Sequence, residues 1–290
     1  MRFFNRSFFI DYTPKSQTAE WHLTYKCNLS CGNCNRLSQY KPTTDDMTID
    51  DAKYFIQQCY DIDWRPHRIA IIGGEPTLHK DFDEFIELAL EFVNEVEGMV
   101  EVWSNMYGRI PNEVFKRWHE VRDDSYYGDK LFHSSKPKNK HLRWNPTTIK
   151  NKSVNFLKGM TISPKDMGLD ICPPEREGND FEYDLKGCYQ HSAYGDCGVS
   201  VDSVGYSICA MGGAIDGMLE LDVRTKDLSK LFDEEFALKQ TCDLCDNCGF
   251  QYDRRTNQIN WELQDNIKEV NHTHMSPTWY NALIKRKETK

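Results

Sequence analysis

Apolar positions along the chain alternate between two rhythms. Trp21 to Tyr25 (WHLTY) reads as a short β-type run. From Asp45 to Tyr60 the rhythm is helical, with Ala52, Phe55, Ile56 and Cys59 on one face. Thr48 can cap that helix, and Asp50 and Asp51 in its first turn suit the helix dipole. Arg68 to Ile72 (RIAII) is a continuous apolar run of the buried, parallel type, broken sharply by Gly73-Gly74-Glu75-Pro76. Asp81 to Val96 is helical again, with Phe82, Phe85, Ile86, Ala89 and Val93 on one side. Met99 to Trp103 predicts the next strand, ended by Ser104-Asn105, and Pro111 to Val121 the next helix. Such alternation predicts parallel βαβ units, with the chemistry at the strand C-termini. Cys27, Gly73 to Pro76 and Ser104-Asn105 all fall on that edge.

Residues 1–18 read as a lead-in with Pro14, and residues 19–186 as the core. Residues 187–255 form a cysteine-rich region and 256–290 a polar tail, which Trp279 and Tyr280 pin to the body. Within 122–187, Met160 to Ser163 predicts a strand, and Pro173-Pro174 and Gly178 to Asp180 predict loop. Lys136 to Arg143 (KPKNKHLR) is basic; a solvated loop is favoured there over an anion-binding segment. There is no long-period repeat.

Charge narrows the function classes. Lys and Arg number 36 and Asp and Glu 45, so the net charge is −9. That argues against general binding to nucleic acid or to an anionic membrane. No apolar run approaches the ~20 residues of a bilayer span, and Met1 to Ile10 lacks a signal-peptide core of the usual length. A cytoplasmic protein is expected. Eleven cysteines, an odd number in a long chain, point to metal or redox chemistry rather than a disulfide framework.

The sharpest motif is Cys27-Asn28-Leu29-Ser30-Cys31-Gly32-Asn33-Cys34. Three thiolates in one short loop can hold three irons of a cubane and leave the fourth open to a small molecule. Structural zinc would need a fourth ligand; no cysteine follows nearby, although His22 is close. C-x3-C-x2-C after a first strand, joined to Gly73-Gly74-Glu75-Pro76 after a second, resembles the radical S-adenosylmethionine (SAM) enzymes over residues 19–120. The resemblance implies an α/β fold, a partial (β/α)6 barrel with a small cysteine-rich C-terminal extension. It implies a SAM-binding [4Fe–4S] cluster on Cys27, Cys31 and Cys34, and SAM held along Gly73, Gly74, Glu75 and Pro76. In these roles the glycines admit the methionyl moiety and the Glu75 carboxylate meets the SAM amino group. Ser104 and Asn105 occupy the place where the family often puts a polar pair near the ribose or methionyl group. The family commonly has an aromatic residue before the third cysteine; here Asn33 stands there, able to bond the adenine edge but not to pack on it.

The implied chemistry is one-electron reduction of SAM to methionine and a 5′-deoxyadenosyl radical, which abstracts hydrogen from substrate. Flavodoxin or ferredoxin would supply the electron. Few residues precede the first strand, which disfavours a leader-peptide domain and favours a small polar substrate. Oxidation, epimerisation or bond formation could follow. A peptide delivered by a partner, or a nucleic acid, is the alternative substrate.

Cys197 to Cys209 reads as a hairpin turning at Asp202 to Gly205, which brings the two cysteines together. Cys242-x2-Cys245-x2-Cys248-Gly249 is a strong metal-binding pattern. Together they loosely resemble the SPASM and twitch subgroups, although the run from Gly205 to Cys209 is one residue short. An auxiliary [4Fe–4S] cluster on Cys197, Cys209, Cys245 and Cys248 follows, with Cys188 and Cys242 as alternates. Zinc in the same ligands, within a non-enzymatic binding protein, is the competing reading. Cys172 is a candidate hydrogen donor to a radical. Cys59 is expected in the core, His79 at a helix entry, and His272 and His274 without a metal role.

Overall fold

The computed structural model describes residues 17–29, 34, 36–118, 121–124, 131–134, 141–146, 198–245, 247–248 and 277–288. The strand expected at Met160 to Ser163, the loop signals at 173–180, and Cys31, Asn33, Cys172, Cys188, Cys197, His272 and His274 lie outside them.

The first half alternates as its apolar rhythm requires: β1 (Thr18–His22), α1 (Ile49–Asp61), β2 (Arg68–Ile72), α2 (Phe82–Asn94), β3 (Met99–Ser104) and α3 (Arg109–Trp118). β4 (Val121–Asp124), β5 (Leu131–Ser134) and β6 (Leu142–Pro146) follow. The rest comprises β7 (Val199–Val201), β8 (Tyr206–Ser207), α4 (Gly212–Leu219), α5 (Glu234–Cys245) and α6 (Pro277–Glu288). One sheet runs β4-β5-β6-β3-β2-β1-β7-β8. Its centre, β6-β3-β2-β1-β7, is parallel throughout, and antiparallel pairs close both ends. This is the α/β class expected.

Alternation along the strands sorts the two faces. Ala19, Trp21, Ile69, Ile71, Val100, Val102, Val199 and Val201 are buried in register on one face. Trp21 meets Phe55 of α1 and Phe85 of α2 edge-on, at 6.1 and 6.2 Å between ring centres. All three side chains are fully buried, each worth roughly 2–3 kcal/mol in transfer from water. The other face mixes buried polar and apolar groups: Ser200 lies beside Glu20, and Ala70 separates Glu20 from Glu101.

α1 starts as its sequence asks. The Thr48 hydroxyl accepts from the Asp51 N–H at 3.1 Å and Asp51 Oδ2 accepts from the Thr48 N–H at 2.9 Å, a reciprocal cap. Gln58, buried on that helix, donates to the Tyr206 hydroxyl and accepts from the Leu228 N–H, tying α1 to the β7–β8 hairpin.

Several boundaries differ from the sequence reading; the helix read from Asp45 starts at Ile49 and the one read to Val96 ends at Asn94. β1 covers Thr18–His22 rather than Trp21 to Tyr25. Beyond it Leu23 makes one more bond to Ile72 O, and then Thr24 turns its hydroxyl to the Lys26 N–H and to Asp46. α3 ends at Trp118, whose indole N–H bonds Asp83, and Val121 starts β4. The end of the basic stretch is not a solvated loop: Leu142 and Arg143 belong to β6, parallel to β3, with Arg143 beside Glu101. Among the described residues no helix is long and apolar enough to cross a membrane.

Candidate metal and cofactor site

The cysteine loop leaves β1 and runs at once against the exit of β2. Gly74 donates to Thr24 O at 2.6 Å and Glu75 donates to Lys26 O at 2.8 Å. Side chains have no room there: a Cβ on Gly73 would stand 2.3 Å from Thr24 O, and one on Gly74 2.2 Å from Lys26 O. Gly73 also has φ +151°. The close approach that demands these glycines is therefore made by the backbone leading into Cys27.

Glu75 is fully buried. Its Oε1 accepts from the Thr77 hydroxyl, the Thr77 N–H (3.3 Å) and the Ser104 hydroxyl (2.9 Å), and its Oε2 from the Asn105 N–H (2.7 Å). Burial pushes its carboxyl above the usual range, and the Thr77, Asn105 and Ser104 bonds pull it back. Pro76 opens the short helical turn Pro76–Leu78, and Glu75 caps it. The carboxylate thus clamps the exits of β2 and β3 together. Ser104 and Asn105 sit at that clamp, at the exit of β3.

Cys27 and Cys34 are half-buried free thiols. Cys27 Sγ accepts from the Leu29 N–H at 3.4 Å and from the Asn105 side-chain amide at 3.8 Å. Burial pushes the Cys27 thiol up to about 11; the Leu29 N–H opposes this, and negative charge at Cys34 and Glu75 adds to it. Metal binding has to displace that proton. Cys34 Sγ lies 3.8 Å from the Ser38 hydroxyl. A groove of about 520 Å³ beside the loop is lined by Asn28, Leu78, Arg109, Ile110, Pro111 and Glu113.

Arg36, two residues past Cys34, is the residue that sequence reasoning missed. It is buried and donates to Glu20 Oε2 at 2.6 Å and to Ala210 O at 2.6 Å. It thereby joins the triad loop to β1 and to the turn after Cys209. An isolated Arg within a cysteine loop carries no sequence signal for such a bridge.

The described C-terminal cysteines lie at the turn after β8 and along and just beyond α5. Cys209 Sγ accepts from the Met211 N–H at 3.3 Å. Cys242 and Cys245 lie one turn apart on α5, and the Cys248 N–H bonds Cys245 O at 3.2 Å. Gln240 of α5 accepts from the Ile208 N–H at 2.8 Å, holding that helix beside the Cys209 turn. Among the described residues no three His, Cys, Asp or Glu side chains form a group able to hold a metal. Trp279 of α6 is fully buried and donates to Asn247 O at 2.9 Å, so the tail is pinned inside the cysteine motif itself. Cys59 is buried in the core, and His79 accepts from the Asp81 N–H at the entry to α2. Burial holds the His79 imidazole below its ordinary range.

No family model matches the chain. Among solved structures, BtrN in complex with AdoMet and 2-DOIA aligns with a TM-score of 0.44 at 14% identity, over 80% of this chain and 92% of BtrN. BtrN in an open conformation aligns with a TM-score of 0.40 at 13% identity, over 91% and 97%. The mycofactocin maturase MftC of Mycolicibacterium smegmatis is 35% identical over 74 residues, 24% of this chain and 17% of that protein. The Fe-coproporphyrin III synthase of Methanosarcina barkeri is 28% identical over 107 residues, 37% of this chain and 25% of that protein. The chain therefore spans a quarter or less of these two relatives' lengths. Both are radical SAM proteins. The cysteine loop folded against a glycine-rich strand exit, and the local identity to these two, are the features this chain shares with the radical SAM superfamily.

Proposed function

We propose that this chain is a radical SAM enzyme acting on a small polar substrate. The observation that carries the reading is the convergence, at one strand edge, of Cys27, Cys34, the Gly73-Gly74 exit and the Glu75 clamp. Cys27, Cys31 and Cys34 would hold a [4Fe–4S] cluster; free thiols, with N–H donors on the Cys27 sulfur, fit a thiolate-bound cluster. When bound, that group supplies reductive cleavage of SAM to methionine and a 5′-deoxyadenosyl radical. The chain's own residues orient and exclude. Gly73 and Gly74 bring the cysteine loop onto β2, and Glu75 fixes the β3 exit while its Oε2 keeps acceptor capacity for the SAM ammonium. Asn33, Ser104 and Asn105 complete the SAM site in this reading. The buried polar groups Glu20, Glu101 and Ser200 on one sheet face support a polar substrate. Flavodoxin or ferredoxin would deliver the electron; a groove lined by Asn28 lies beside the cysteine loop.

The reading extends to an auxiliary [4Fe–4S] cluster on Cys197, Cys209, Cys245 and Cys248, with Cys188 and Cys242 as alternates and zinc as the rival occupant. The Gln240 and Arg36 bonds, which hold α5 and the triad loop to the Cys209 turn, support it. Cys172 stays the candidate hydrogen donor. A peptide substrate is the second reading, favoured by the maturase name of one relative.

The test is anaerobic reconstitution with iron and sulfide, an iron count, and an assay for 5′-deoxyadenosine after SAM and dithionite. About eight irons per chain with deoxyadenosine formed supports two clusters and radical chemistry, and about four leaves the triad alone. Zinc in place of iron, with SAM untouched, overturns the enzyme.

A further inference from the structure

Asn105 is held at every polar atom of its side chain. Its Oδ1 accepts from the Tyr107 N–H at 2.7 Å. A backbone N–H can only donate, so the other end of the carboxamide must be the NH2 group. That end donates to Asn28 Oδ1 at 2.7 Å and lies 3.8 Å from Cys27 Sγ. Asn28 is fixed in turn, since its Nδ2 donates to Tyr107 O at 2.6 Å. The Asn105 N–H is meanwhile clamped by Glu75 Oε2. A chain of bonds from a buried carboxylate thus ends on the sulfur of the first cysteine of the triad. The described environment of the Cys34 sulfur differs: it faces a hydroxyl at 3.8 Å.

N–H donors on a ligating sulfur stabilise the form with more negative charge on sulfur, which is the reduced one. We propose that Asn105 is a positioning residue that orients the Cys27 sulfur and raises the reduction potential of the cluster held by the triad. This departs from the sequence reading, which put Asn105 beside SAM, and it rests on the cluster assignment above.

The test is a redox titration of the reconstituted chain without SAM, followed by electron paramagnetic resonance of the reduced cluster. Asn105→Ala removes the donor, and Asn105→Asp keeps the shape and the acceptor for Tyr107 but replaces the donor with an anion. Thr48→Ala, which removes the cap of α1 and lies outside the Glu75–Asn105 chain, is the control. At a fixed potential the reduced-to-oxidised ratio of Asn105→Ala should fall about tenfold relative to wild type, a downward shift of about 59 mV. Asn105→Asp should shift further in the same direction, and Thr48→Ala should match wild type. Potentials of both Asn105 variants equal to wild type would overturn the proposal. So would loss of iron from both with the metal-free fold intact, because Asn105 would then secure the loop rather than tune the sulfur. Wild type that binds no iron would instead overturn the cluster assignment.

Discussion

Gly74→Ala tests whether the glycine-rich exit exists to seat the cysteine loop. The added Cβ would stand 2.2 Å from Lys26 O and 2.7 Å from Lys26 C, both backbone atoms that no rotamer can move aside. Relief to ordinary contact needs a shift of about 1 Å between the exit of β2 and the segment entering Cys27. That shift breaks or lengthens two bonds, Gly74 N–H to Thr24 O and Glu75 N–H to Lys26 O. At about 1 kcal/mol net for each, plus residual strain, the loss is roughly 2–3 kcal/mol. For a chain of this size the metal-free melting temperature should fall by roughly 5–10 °C. Iron content should fall more than stability alone explains, because Cys27 moves with Lys26. Thr48→Ala, which removes the cap of α1 at about 1 kcal/mol, separates the two effects: it should melt lower and keep its iron. The assays are thermal unfolding of the metal-free chain and iron per chain after reconstitution. A Gly74→Ala protein that melts with wild type and binds as much iron would refute the packing argument.

Other outcomes follow from single contacts. Arg224 is buried between Asp202 and Asp216, at 2.6 Å from each, so Arg224→Met leaves two buried carboxylates and should cost about 3–5 kcal/mol in urea unfolding. Trp279→Ala deletes a fully buried indole and its bond to Asn247 O, and should free α6 to limited proteolysis at a cost of roughly 3–5 kcal/mol. Burial, and then the charges of Arg36 and Arg224, hold His22 well below the ordinary imidazole range of 6.5. Below pH 6.5 the unfolded chain takes up a proton that the folded chain refuses, so stability should drop by up to about 1.4 kcal/mol per pH unit as pH falls. His22→Gln should flatten that slope between pH 6.5 and 5.5 in paired urea titrations, and an unchanged slope would contradict a neutral buried imidazole.

Local signals carried the first half of the fold. RIAII became β2 to the residue, and Thr48 capped α1, because burial on both faces and a reciprocal cap are written in adjacent residues. The tail anchor Trp279 was legible for the same reason, a large aromatic in a polar segment. Long-range pairing was not legible. Nothing in Leu142 or Arg143 announces a strand; β6 is read from its place beside β3, where Glu101 and Arg143 are register partners. The site divides in the same way. The spacing of Cys27 and Cys34 and the Gly73-Gly74 pair are sequence patterns, whereas their mutual contact, the Glu75 clamp and the Arg36 bridge depend on residues brought together by the sheet.

β1 is the element that relates the two cysteine regions. It pairs with β2 on one side and with β7 on the other, both parallel. The triad loop leaves its C-terminal end, and the hairpin that leads to Cys209 begins beside it. Arg36 then closes the arrangement, because one guanidinium binds Glu20 on β1 and the carbonyl that follows Cys209. Two planar donors on a buried side chain fix direction as well as distance, which a Lys at that place would not do. A displacement of the triad loop is therefore transmitted to the Cys209 turn through a buried, charge-assisted contact. Arg36→Lys, which keeps the charge and loses the fork, should loosen that link while β1 keeps its partners. Faster amide exchange in residues 209–213 than in 199–201 would register the difference, and equal protection of the two segments would show that the sheet alone holds the turn.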